Sequence, residues 1–172
     1  MASEMTGRAI SITGCVIVFL LAQTGAGKEL SVQRLDSINA DPSAAQTVVQ
    51  QVYQLILKMV DCWNKHDLDG YMNGFWKSDD LLAVIESQVH WGWADLNASF
   101  HRGYPDRDKM GKIDLQRLQV RSSTPDTAVA LCWWRIVPPR GGSPVFATDT
   151  MQLQKFAEGW RITVAHSSYF EP

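Results

Sequence analysis

The stretches "TAVALCWWRIV" (Thr127–Val137) and "VFATDTMQLQKF" (Val145–Phe156) switch sides residue by residue. That period of two is the mark of a strand. Working outward, "AEGW" (Ala157–Trp160) is a turn that feeds another run, Trp160 to Ser168. On the other flank, Ile113 to Arg121 alternates with a slip of phase at Gln116 and Arg117, which predicts a bulge. The second half of the chain therefore reads as a meander of long antiparallel strands.

The first half has a different period. "DPSAA" opens a helix: Asp41 caps it, and Pro42 suits a first turn, where its missing N–H costs nothing. Val48, Val52, Leu55, Met59 and Cys62 then recur at spacings of four and three, one apolar stripe on a helix that ends near His66. Asp67 caps a shorter helix with Leu68, Tyr71, Met72 and Phe75 on one side. Ser78-Asp79-Asp80 breaks it, and "LLAVIE" follows as a strand. A third helix starts at Gly92, aligns Trp93, Leu96 and Phe100, and stops at Gly103. Helices first and strands later predict an α+β fold, three N-terminal helices packed on a curved antiparallel sheet. At 172 residues the chain holds one domain, expected over 44–172.

Arg8, the apolar run Ala9 to Ala22 and the small residues Thr24-Gly25-Ala26 read as an export signal over 1–26, followed by a leader over 27–43. The apolar run is short for a bilayer, which needs about 20 residues, so no stable membrane insertion is expected after cleavage. The expected destination is periplasmic or extracellular. "GAGKE" lacks the glycine and the hydroxyl residue of a phosphate-binding loop. A net charge of −2 gives no electrostatic reason to expect nucleic acid. Beyond the signal stand Cys62 and Cys132, either one disulfide or two buried thiols.

Six pieces in register, "WNKHDLDGYMNGFWKSDDL", "GWADLNASFHRGYPD", "KMGKIDL", "ALCWWRI", the Gly141-Gly142 pair and "EGWRITVAHSS", resemble a SnoaL-like branch of the nuclear transport factor 2-like superfamily. The resemblance runs from about Val48 to Ser168. It implies a cone, with a bent sheet and three helices around a pocket, often dimeric through the sheet. Two positions depart from the family pattern. Ala165 stands before His166 where relatives commonly carry aspartate, and Asp149 stands where they carry an aromatic or aliphatic residue. Such cones host isomerases, cyclases, dehydratases and non-catalytic binders, so the fold does not give the reaction.

No metal site is expected. "DLDG" has no third calcium ligand, and the four histidines make no H-x-x-x-H pair. Strict alternation puts His166 on the face of Trp160, Ile162 and Val164, at the pocket mouth. There it serves as a general acid or base, or is a histidine satisfied by a backbone carbonyl. Asp149 shares a face with Met151 and Leu153, which is costly for a carboxylate unless it is paired or lies in a polar pocket; it either orients the His166 imidazole as half of an acid/base pair or lies beyond the sheet edge in water. Tyr71, Phe75 and Trp76 either line the pocket against a flat ligand or are plain core. Trp133 and Arg135 alternate with Cys132 and Trp134, so they point away from the cone, where a homodimer through the sheet is expected, the alternative being a solvated outer face. The expected partner is a small apolar or aromatic molecule, held by a binding module or turned over by a cofactor-free acid/base enzyme.

Overall fold

The computed structural model describes residues 30–35 and 41–171. The predicted export segment 1–26 lies outside them, as do residues 27–29 and 36–40 of the predicted leader. Part of that leader is not irregular. β1 (Ser31–Arg34) pairs in parallel with Arg117–Val120 of β4 (Lys112–Thr124). The Gln33 side chain accepts hydrogen bonds from Arg117 and from Gln119, at 3.2 and 2.8 Å.

Helix α1 (Pro42–Asn64) begins as the sequence implies, with the Asp41 carboxylate accepting the amides of Ser43 and Ala44. Its buried stripe is Ala45, Val48, Val49, Val52, Ile56, Met59 and Trp63, while Leu55 and Cys62 sit at its margin, half-buried. Asp67 caps α2 (Leu68–Met72) through the Gly70 amide. Then come β2 (Leu82–Ile85), β3 (Gln88–Trp91) and α3 (Trp93–Gly103). The hairpin partner β3 is not apparent from the pattern, because it is only four residues long and three of them are exposed. The three helices are consequently not a continuous N-terminal block: β1 precedes α1, and the β2–β3 hairpin separates α2 from α3.

A 3-10 turn (Arg107–Lys109) leads into β4 (Lys112–Thr124), β5 (Thr127–Val137), β6 (Val145–Phe156) and β7 (Gly159–Phe170). The sheet order is β1-β4-β5-β6-β7-β2-β3, antiparallel except where β1 joins β4 and β2 joins β7. The expected bulge is present, a register shift between Leu115 and Arg117. One face of the sheet is covered by α1. Asn64 clamps Ile113 through both its amide atoms at 2.9 Å, and the Trp63 indole donates to the Gly111 carbonyl at 3.1 Å. The Trp160 indole donates to Gln51 at 2.8 Å, tying α1 to the far side of the sheet. The core fills this inner face with Leu118, Val120, Ala130, Cys132, Met151, Leu153 and Ile162. No described helix is long and apolar enough to cross a membrane.

Candidate functional site

The inner face carries one carboxylate. Asp149 on β6 lies across from Cys132 on β5 and from Ser167 on β7. Its parity with Met151 and Leu153, both buried, is the one the alternation predicts. The Trp134 indole N–H donates to Asp149 Oδ2 at 2.9 Å, and Trp134 is itself buried. Oδ1 is buried and has no hydrogen-bond partner among the described residues. Burial pushes the Asp149 pKa from 3.8 up to about 6, against the opposing pull of Ser167, Trp134 and the His166 charge. Ser167 thus favours the charged carboxylate, although Oδ1 itself ends without a partner of hydrogen-bond geometry.

Tyr71 of α2 lies within electrostatic range of this group. Burial, and secondarily the charge on Asp149, hold its phenol well above the ordinary tyrosine range, so at neutral pH its hydroxyl is a fixed donor. Around it stand Trp63, Phe75 and Phe100, with ring centroids 5.0, 5.9 and 5.7 Å away, and Tyr104 packs on Trp63 at 4.8 Å. These rings come from α1, α2, the segment after it and α3, and they form one aromatic cover over the sheet. Two residues beyond Ser167 is Tyr169, half exposed, and the Glu86 amide bonds to the Ser167 carbonyl at 3.1 Å. Burial, then the nearby Glu86 and Asp149 charges, raise the Tyr169 pKa as well.

His166 is not in this site. Between Ile162 and Val164 the ladder slips, so that Leu153 pairs with Ile162 and Gln152 with Val164. Thr163 is the extra residue, and every side chain after it changes face. Ala165 becomes the buried one, and His166 stands exposed on the outer face opposite Thr150 and Val84. Trp76 is also elsewhere. It stacks on Phe156 at 5.3 Å, seven residues from Asp149 along β6, or about 23 Å at ~3.3 Å per residue. Of the aromatic trio only Tyr71 and Phe75 join the cover. Cys62 and Cys132 are both free thiols; Cys132 lies under Asp149, its pKa raised well above the ordinary thiol by burial. Sequence reasoning passed over Trp134, Ser167 and Cys132. For Trp134 and Cys132 the signal is parity, since both share the inward phase of β5; Ser167 turns inward only through the slip at Thr163, and the register that brings all three to Asp149 is a long-range property.

Trp133 and Arg135 are on the outer face. The Arg117 guanidinium lies over the Trp133 ring at 4.8 Å, and Arg135 pairs with Asp114 at 3.1 Å. Two further tethers hold α3: His90, buried, bonds Asp95 at 2.9 Å, and His101 bonds Asp69 at 3.1 Å. Among the described residues no three histidine, cysteine or acidic side chains cluster to hold a metal ion.

Solved structures with this architecture are numerous. An NTF2-like protein of unknown function from Shewanella oneidensis is 24% identical, with a TM-score of 0.66 over 70% of this chain and 98% of that one. A candidate dehydratase of the NTF2-like family from Streptomyces avermitilis is 18% identical, with a TM-score of 0.64 over 74% and 99%. An NTF2-like superfamily protein from Salmonella enterica is 19% identical, with a TM-score of 0.62 over 74% and 94%. The chain therefore has the NTF2-like, cystatin-like α+β fold. No family model matches the sequence, and no curated protein matches it.

Proposed function

We propose that this NTF2-like fold binds a small, mostly apolar molecule between the aromatic cover and the sheet, with the ligand's one polar group against Asp149. The observation that carries this is the buried Asp149 Oδ1, which has no partner of hydrogen-bond geometry among the described residues. An enclosed acceptor left unpaired costs about 1–3 kcal/mol, and a ligand donor returns that energy on binding. A ligand reaching Oδ1 has to displace part of the aromatic cover, so a flat and small one is expected. N-phenyl-1-naphthylamine, neutral, aromatic and carrying a single N–H donor, is a suitable probe. Its fluorescence is expected to rise on binding, and Asp149→Ala is expected to weaken the affinity about tenfold or more, the loss of one charge-assisted bond. Tyr71→Phe has a smaller effect, and His166→Ala none. Equal binding by Asp149→Ala would remove the proposal.

A second reading follows from the Asp149 pKa of about 6. A carboxyl that exchanges its proton near neutrality, beside a fixed Tyr71 donor and away from water, is suited to moving a proton on an enolisable ligand. A weakly acidic cyclic ketone such as 2-indanone should then exchange its C–H for deuterium faster with the protein, with a profile rising through about pH 6 and lost in Asp149→Asn. An exchange rate equal to that of buffer would leave binding as the whole function.

The outer face supports a homodimer through the sheet. Trp91 is 68% exposed and Val89 53%, and Leu131 and Trp133 are only half-buried. Trp133→Glu sets a carboxylate beside the Arg117 guanidinium, so the protomer tolerates it, while closing the interface must desolvate the charge. Light scattering is expected to show half the parent mass; an unchanged mass would exclude this face.

A further inference from the structure

A groove of about 550 Å³ opens where the end of α1, the 3-10 turn, the start of β4 and the end of β5 meet. Its floor is apolar, with Met110 buried and Val137 and Pro138 half-buried. Its rim carries Arg107, Lys112, Arg140 and His66, with Asp108 as the one acid. None of these five side chains enters an ion pair among the described residues. The chain as a whole is net negative, at −2. Three cations gathered around an apolar floor are thus a local reversal of its charge.

Two rim residues hold unusual backbones. His66 and Arg140 have φ of 60° and 66°, the left-handed region, and Glu86 is the only other such non-glycine residue described. Such a conformation costs roughly 1–2 kcal/mol in a residue with a Cβ, and it is tolerated where the surroundings over-determine it. The C-terminal end of α1 also points here, and its partial negative charge opposes an anion. That opposition is blunted, because the Cys62 and Trp63 carbonyls already accept the amides of Lys65, His66 and Asp67. Full charges on three side chains outweigh a partly quenched half charge.

We propose that this groove is a binding site, separate from the cone, for a small anionic amphiphile: a carboxylate or phosphate head on a short apolar body. The head meets Arg107, Lys112 and Arg140, and the body lies on Met110, Val137 and Pro138. The volume fits one small molecule, within the roughly 300–1,000 Å³ of ordinary ligand pockets. It is too small for a duplex or a lipid surface, and an uncharged ligand would leave three cations unanswered.

Amide NMR titrations of the full chain with octanoate, octyl phosphate, octan-1-ol and inorganic phosphate test this. Octanoate and octyl phosphate are expected to shift Gly111, Lys112, Val137 and Arg140 saturably, and the tighter of the two identifies the head group. Octan-1-ol and inorganic phosphate are each expected to bind at least about tenfold more weakly, because each lacks half of the ligand. Arg107→Glu with Lys112→Glu, both exposed positions, is expected to weaken octanoate at least about tenfold with the remaining amides unmoved. Asp149→Asn leaves octanoate binding unchanged. The proposal is overturned if the double variant binds as tightly as the parent, if inorganic phosphate or octan-1-ol binds as well as the amphiphiles, or if Asp149→Asn abolishes the shifts. That last result would place the ligand in the cone.

Discussion

Asp149→Asn is expected to unfold at a higher temperature than the parent at pH 8 and at the same temperature at pH 4. The folded protein holds the Asp149 proton up to about pH 6, whereas an unfolded aspartate releases it near 3.9. Between those values the folded state binds more protons than the unfolded one, so stability falls as pH rises and levels off above about pH 7. A rise from 3.8 to about 6 corresponds to about 3 kcal/mol of stability missing at pH 8. The amide carries no charge, so the variant escapes that loss while its oxygen still accepts the Trp134 indole. For a domain of this size about 3 kcal/mol is roughly 6–12 °C in Tm. A gain that persists undiminished to pH 4 would show that ionisation is not its cause. The parent retains an unfavourable charge inside its core, which is how a site for chemistry or binding differs from plain packing.

Gly111→Ala is expected to lose about 1–3 kcal/mol, the usual range for forcing atoms into filled space. A Cβ at Gly111 would overlap the Val137 carbonyl oxygen and press on the Pro138 Cα, both backbone groups that cannot rotate away. The Gly111 carbonyl also accepts the Trp63 indole, so displacing the chain loosens α1 from β4. Gly103→Ala is the control. It ends α3 with nothing within 4 Å of the new methyl, and it should be neutral or gain up to about 1 kcal/mol. Urea unfolding of the two variants separates them; equal midpoints would mean that β4 and β5 yield at no cost.

The helices and long strands were legible because their signals are local. Asp41 and Asp67 cap where their side chains predict, and the slip at Gln116 shows within five residues of pattern. Asp149 was placed correctly for the same reason, since its three-residue parity with Met151 and Leu153 crosses no irregularity. His166 was not, because one residue at Thr163 reverses every later position, and "RITVAH" carries no glycine or other mark of a bulge. Trp76 failed differently. It adjoins Phe75 in the chain, but hydrogen bonds between Gly74 and Ile162 and between Trp76 and Ile162 seat that segment along β7, sending the indole to Phe156. The Trp134–Asp149 bond depends on the register between two strands, which alternation within either strand does not contain.

The short parallel strand β1 bears on how the protein behaves at high concentration. β4 is thirteen residues long and would otherwise be the outermost strand on its side, whereas the opposite side ends in the four-residue β3. A long outermost strand offers a row of unsatisfied N–H and C=O groups to any neighbouring chain. Residues 31–34 occupy the middle of that row, at Arg117 to Val120, and Gln33 binds the Arg117 and Gln119 side chains beside it. A chain trimmed to start at Asp41 is expected to keep its core, yet it would carry an open template for self-association into aggregates. Light scattering of the trimmed chain is expected to show growing mass with concentration where the full chain does not.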